Sequence, residues 1–132
     1  MSHVESMLKL KHWAVVGATD NTEKYGCKIY KVLKAAGYNV YPVNPGINEI
    51  LGDRCYPALS DLPITPEVVN IVVPAKISEQ IINNCAELGI KNVWLQPGSN
   101  AANVVALAKE LGLNVVDKNC VLAELRNHKQ DI

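Results

Sequence analysis

The stretch that decides the fold is Trp13-Ala-Val-Val-Gly-Ala-Thr-Asp20, followed by Lys24-Tyr-Gly-Cys-Lys28. Trp13–Gly17 is a continuous, β-branched apolar run ended by glycine, the pattern of a strand buried on both faces. A polar loop follows, and a basic amphipathic helix begins near Tyr25, with Ile29, Val32, Leu33 and Ala36 at i, i+3, i+4 and i+7. Strand, turn and helix N-terminus in that order leave unbonded main-chain N–H groups at the turn, where the helix dipole favours negative charge. The turn is therefore expected to hold phosphates, with Gly17 allowing the main chain to approach them closely.

Working outward, Gly37 stops the helix in a position suited to a left-handed cap, and Asn39–Val43 reads as the second strand, closed by Asn44-Pro45-Gly46. The same joint recurs: Ala36-Gly-Tyr-Asn-Val40 has counterparts in Leu88-Gly-Ile-Lys-Asn-Val93 and Leu111-Gly-Leu-Asn-Val115. Repeated short helix-to-strand joints are what βαβ units require. Val68–Val73 and Asn92–Gln96 read as buried strands ended by Pro74 and Pro97-Gly98, and Leu113–Asp117 as the last strand. Ser78 and Asn100 are expected to cap the second and third main helices. Their inward stripes would be Ile81, Cys85, Leu88 and Val104, Leu107, Ala108, Leu111.

The middle is less regular. Asn48–Leu51 suggests a helical turn, Cys55–Tyr56 a very short edge strand, and Ser60–Leu62 a loop or turn. Asn119–Arg126 suggests a short closing helix, with a lead-in through Lys11 and a tail from Asn127 outside the regular pattern, the tail fraying. The expected fold class is α/β: a single Rossmann-like three-layer domain over residues 1–132 with a mainly parallel sheet, ordered 3-2-1-4-5 and extended by the last strand.

Composition narrows the function. Thirteen basic residues balance thirteen acidic ones, so nothing calls for nucleic acid or an anionic membrane. No apolar run approaches the ~20 residues of a membrane span, and the first eleven residues lack a signal peptide's apolar core, so a cytoplasmic protein is expected. Cys27, Cys55, Cys85 and Cys120 lie on four different elements without metal-ligand spacing, so reduced thiols and no metal site are expected.

In such a sheet ligands bind beyond the carboxyl ends of the strands. Those ends are small, apolar or amide-bearing, with no Ser/His/Asp set and no paired carboxylates from which to assemble a catalytic site. A dinucleotide fits poorly. Its Gly-x-Gly-x-x-Gly positions hold Gly17, Thr19 and Thr22, and the acid wanted ~20 residues on for the ribose is replaced by Val43-Asn44-Pro45. Lys24 and Lys28 place positive charge near the first helix, suited to a more heavily phosphorylated nucleotide such as coenzyme A. Val73-Pro74 and Gln96-Pro97-Gly98 would give its pantetheine arm a neutral groove.

Taken with Gly17-Ala-Thr, Lys24-Tyr-Gly and Tyr41-Pro-Val-Asn-Pro45, the strings Leu51-Gly, Cys55-Tyr-Pro57, Asp61-Leu-Pro63, Val72-Val-Pro74, Trp94-Leu-Gln-Pro-Gly98 and Asn119-Cys120 carry a family resemblance. From Trp13 to Arg126 the chain resembles the small stand-alone CoA-binding domain proteins, similar to the N-terminal domain of the succinyl-CoA synthetase α subunit. The resemblance implies CoA or acyl-CoA across the strand ends, with Gly17, Ala18, Thr19 and Lys28 on phosphates and Val43, Asn44 and Pro45 at the adenosine. Val73, Pro74, Gln96, Pro97 and Gly98 would line the pantetheine, and Ile77 joins the binding set. Lys28 has the alternative of a solvated lysine, in step with Lys31 and Lys34. Tyr25 either stacks on adenine or packs against the loop. Cys120, facing the mouth, either forms a mixed disulfide with the CoA thiol or is a buried structural cysteine. The ligase's phosphorylated histidine belongs to a second domain, and His3, His12 and His128 lie at the termini, so ligase chemistry needs a partner chain. The expected function is a non-catalytic CoA carrier, sensor or regulator, with an NAD(P) redox protein or a ligase component as alternatives and a homodimer left open.

Overall fold

A computed structural model of the chain describes residues 2–130, and of residues 127–130 the main chain only. Five parallel strands form the sheet: β1 (His12–Val16), β2 (Asn39–Val43), β5 (Val68–Ile71), β6 (Asn92–Leu95) and β7 (Asn114–Val116), in the order β2-β1-β5-β6-β7. The expected edge strand at Cys55–Tyr56 shrinks to a single parallel bridge between Tyr56 and Val43, on the outer side of β2. The register pairs Trp13 with Val40 and Val68, Val68 with Asn92, and Asn92 with Asn114.

One face is covered by α1 (His3–Leu8), α2 (Tyr25–Ala35) and α5 (Val121–Gln130). Met7, Leu8, Trp13, Val15, Ile29, Tyr30, Leu33, Trp94, Val116, Val121 and Leu125 form its core. The other is covered by α3 (Ala75–Glu87) and α4 (Ala102–Glu110), with Ala14, Val16, Ile71, Ile82, Cys85, Val93, Leu95, Val104 and Ala108 between. Trp13 and Trp94 are both fully buried, their rings 5.9 Å apart, and each indole N–H donates to a carbonyl, Leu10 O and Asn119 O. Buried indoles need such partners.

Several local expectations are corrected. The lead-in contains α1, capped by the Ser2 hydroxyl and anchored by Met7 and Leu8. Asn48–Leu51 is not helical: β3 (Glu49–Ile50) and β4 (Asp53–Arg54) form an antiparallel hairpin. Its two-residue turn, Leu51 and Gly52, has φ of 52° and 87°, the geometry that matches strand twist in a tight hairpin. The loop or turn expected at Ser60–Leu62 is present, as a short 3-10 turn over Leu59–Asp61. Ser78 does not cap α3; the helix begins at Ala75, and Ser78 is buried in its first turn with its hydroxyl donating to Val73 O and Pro74 O. Asn100 does not cap α4 either, for its amide donates to Asp117 O and its oxygen accepts from Gly98 N. The buried stripe of α3 is Ser78, Ile82 and Cys85, leaving Ile81 half-buried and Leu88 exposed. In α4 the stripe narrows to Val104 and Ala108, with Leu111 exposed at the C-cap. Of the expected fraying tail, residues 127–130 continue α5, and Asp131 and Ile132 lie outside the described residues.

Candidate functional site

At the carboxyl ends of β1, β2 and β5 lies a cavity of about 450 Å³. Val16 and Gly17 contribute from β1, Val43, Asn44 and Pro45 from β2, Pro57, Ala58 and Leu59 from the segment after β4, and Val73 from the end of β5. Ile77, Gln80, Ile81 and Asn84 of α3 complete the wall. None of these side chains carries a formal charge. A neutral cavity with amides on an apolar wall suits the uncharged part of a ligand, because burying a charge without a partner is costly.

The turn after β1 builds the cavity's floor. Gly17 has φ of +99°, and a Cβ there would lie 2.3 Å from the Val72 carbonyl oxygen. A Cβ on Gly26, in the first turn of α2, would lie 2.1 Å from the Gly17 carbonyl oxygen. Both glycines are therefore required by contacts inside the chain: the strand end, its neighbour and the helix start meet main chain to main chain. Within the loop, Asn21 N–H donates to Thr19 Oγ1 (3.2 Å), and Glu23 N–H to Asn21 Oδ1 (3.1 Å). The helix ladder begins with Cys27 and Lys28 donating to Lys24 O, so the N–H groups of Tyr25 and Gly26 precede it.

Asn44 is committed internally. Its amide donates to Ala18 O (2.8 Å), and its oxygen accepts from Gly46 N–H (2.9 Å). Ala18, fully buried, contributes that carbonyl rather than a wall of the cavity. Thus Gly17, Val43, Asn44, Pro45, Val73 and Ile77, six of the residues singled out from the sequence, come together in one cavity. Val16, Pro57, Ala58, Leu59, Gln80, Ile81 and Asn84 were not singled out. The 3.6-residue pattern held the signal for the last three: Ile77, Gln80, Ile81 and Asn84 share a helix face beside the buried stripe.

The other candidates sit elsewhere. Tyr25 is 60% exposed with the Lys28 ammonium 5.5 Å from its ring centre. Lys28 faces a second hollow between α2 and α5, with Val32, Leu122, Leu125 and Arg126. Pro74 occupies the N-cap position of α3 and is exposed. Pro97 and Gly98 are exposed at the end of β6, whereas Gln96 is buried. Gln96 Oε1 accepts from Val121 N–H (3.1 Å), which orients the amide so that Nε2 points to Cys120 Sγ (3.4 Å). The loop after β6 is tied to the cavity wall through Ser99, whose hydroxyl donates to Val73 O and accepts from Val73 N–H. All four cysteines are free thiols; Cys27, Cys55 and Cys85 are buried and Cys120 is partly exposed. Burial pushes the Cys85 thiol up to about 12, leaving it un-ionised at neutral pH. Among the described residues no helix is long and apolar enough to cross a membrane.

A parallel α/β sheet with a neutral cavity at the carboxyl edge, beside a glycine turn and a helix N-terminus, defines a nucleotide-type ligand-binding domain. Comparison makes the class specific: the CoA binding domain family matches residues 11–126, and the chain belongs to that family. It is 34% identical over 121 residues to an Archaeoglobus fulgidus protein named acetate–CoA ligase (ADP-forming) II, covering 83% of this chain and 18% of that one. The chain spans 17–26% of the length of the ADP-forming acetate–CoA ligase chains it matches. The Bacillus subtilis protein YneT is 26% identical over 117 residues, covering 89% of this chain and 87% of that one. A solved hypothetical protein from Pyrococcus horikoshii superposes with a TM-score of 0.88 at 34% identity, covering 95% of this chain and 88% of that one.

Proposed function

We propose that this chain, acting as one domain in the cytoplasm, binds coenzyme A or an acyl-CoA at the carboxyl edge of its sheet as a carrier, sensor or regulator without catalysis of its own. The carrying observation is the uncharged cavity set against the Gly17 turn, in a chain that belongs to the CoA-binding family. Val43, Asn44, Pro45, Val73 and Ile77 would enclose the adenosine, and the turn at Gly17–Thr19 with the first N–H groups of α2 would take the phosphates. The pantetheine would run along Pro74, Pro97 and Gly98, over the buried Gln96, toward Cys120. The ligand's own contribution is a thiol that carries acyl groups. An NAD(P) reading is disfavoured at the end of β2, where no acid stands and the Asn44 amide already bonds Ala18 O and Gly46 N–H.

Thermal denaturation with CoA, acetyl-CoA, NAD and NADP tests this. A ligand at a hundred times its dissociation constant adds about 2.7 kcal/mol of stability. The expected result is stabilisation by CoA or acetyl-CoA and none by NAD; stabilisation by NAD alone would reverse the assignment.

A further inference from the structure

We propose that Gln80 and Asn84 are specificity-determining residues that read the hydrogen-bonding edge of the ligand's adenine. The inference rests on the CoA reading above and adds to it the side chains that recognise the base.

Three carboxamides line the cavity, and the hydrogen bonds separate them. Asn44 spends both ends on Ala18 O and Gly46 N–H. The side chains of Gln80 and Asn84 make no hydrogen bond to any described residue. They lie four residues apart on α3, one turn above the other, on a face that the helix does not use for its core: its buried residues are Ser78, Ile82 and Cys85. Elsewhere on the carboxyl edge carboxamides are engaged, Gln96 with Val121 N–H, Asn100 with Asp117 O and Asn119 with Glu124. Among the described residues that line the cavity, Gln80, exposed at its rim, and Asn84, half-buried, are the carboxamides without a partner in the chain.

The chemistry of the wall selects what the pair meets. With no charged side chain in the lining, the occupant is neutral there. Pro45 and Pro57 are rigid apolar walls, and Val73, Ile77 and Ile81 line the same cavity, surfaces suited to the faces of a flat ring. A carboxamide offers one donor arm and one acceptor, which matches the 6-amino group and adjacent ring nitrogen of adenine. The flexible pantetheine also carries amides, and the test distinguishes the two.

Isothermal titration would compare CoA with an analogue in which purine, lacking the 6-amino group, replaces adenine. A freely turning carboxamide can adapt to a 6-oxo group, so removing the substituent is the sharper probe. The wild-type chain should prefer CoA by about tenfold, the range of a good carboxamide–base contact. The double variant Gln80→Leu, Asn84→Leu should bind both ligands equally, with an unchanged melting temperature showing that the helix is intact. A double variant that keeps the tenfold preference, or a wild type that shows none, overturns the assignment while CoA binding stands. An equal loss for both ligands also overturns it and moves the amides to the pantetheine. A wild type that binds neither ligand overturns the CoA reading itself, and this inference with it.

Discussion

Carboxamides occur in two places along the carboxyl edge of the sheet, and they are put to opposite uses. Past β6 and β7, Gln96 bonds Val121 N–H and the Cys120 thiol, Asn100 holds Asp117 O, and Asn119 holds Glu124. On α3, Gln80 and Asn84 border the cavity and bond nothing in the chain. In the first group Gln96 and Asn100 satisfy main-chain groups of the loops and Asn119 ties the Glu124 side chain; the second leaves its donors and acceptors open to the cavity and to solvent. The lesson is that a polar strand end is equally good for building a loop and for holding a ligand, and only the partners tell which.

The largest expected effect falls on the joint beneath both regions. Gly17→Ala and Gly26→Ala each drive a methyl group into a main-chain carbonyl oxygen, at 2.3 and 2.1 Å, and Gly17 also has positive φ. Each substitution should cost about 3 kcal/mol or more, from main-chain strain and overpacking together, read as a fall in the urea midpoint without ligand. A loss below about 1 kcal/mol for Gly17→Ala would mean that the joint yields, and that the glycine serves ligand approach instead.

Next in size is a direct contrast between the two sets of amides. Gln96→Leu strips the acceptor from buried Val121 N–H and should lower stability by about 2 kcal/mol. The Gln80→Leu, Asn84→Leu variant should shift it by less than about 0.5 kcal/mol, since no internal bond is lost. Should Gln96→Leu spare stability and weaken CoA binding, the comparison inverts and the β6 end becomes the recognition surface.

How much of this was legible in the sequence follows from what each signal reports. Trp13–Val16, Val68–Ile71 and Asn92–Leu95 announce themselves because a strand buried on both faces must be continuously apolar, and Gly37, Gly89 and Gly112 mark the joints by adopting positive φ. The helix α1 escaped because six residues give too short a period, with only Met7 and Leu8 buried. The β3–β4 hairpin escaped because Leu51 stands where Asn or Gly would advertise a tight turn. Ser78 and Asn100 misled because a short polar side chain before a helix is a capping signal, while here Pro74 and Ala101 open the helices and the polar groups tie loops. For the site, strand ends were legible because the fold dictates them. Gln80 and Asn84 were not, because an apolar stripe reveals the core face of a helix and says nothing about the face beside it.

The smallest expected effect concerns the outer wall of the cavity, and pH reaches it. The segment Pro57–Leu59 follows a strap whose hairpin is held to α2 by buried Ile50 and by Asp53, which accepts from Lys34 Nζ and Tyr30 OH. Those two donors, the Lys34 ammonium first, hold the Asp53 carboxyl below the usual carboxylate range. A carboxyl whose folded value is lowered adds stability above its unfolded value and loses it as pH falls through the folded one. Burial, with Asp53 nearby, raises Tyr30 above its ordinary value, so its contribution is complete below the unfolded value and fades as pH rises beyond it. Because Lys34 and Asp53 are partly exposed, Asp53→Asn should cost only about 0.5 kcal/mol at neutral pH and flatten the acid limb of the stability curve. Hydrogen exchange then localises the change. Faster exchange at Cys55 and Tyr56, whose N–H groups bond Asn48 O and Pro42 O, with α3 unaffected, is the outcome that joins the hairpin to the cavity wall. Uniform loss of protection would make the contact a general stabiliser of the fold.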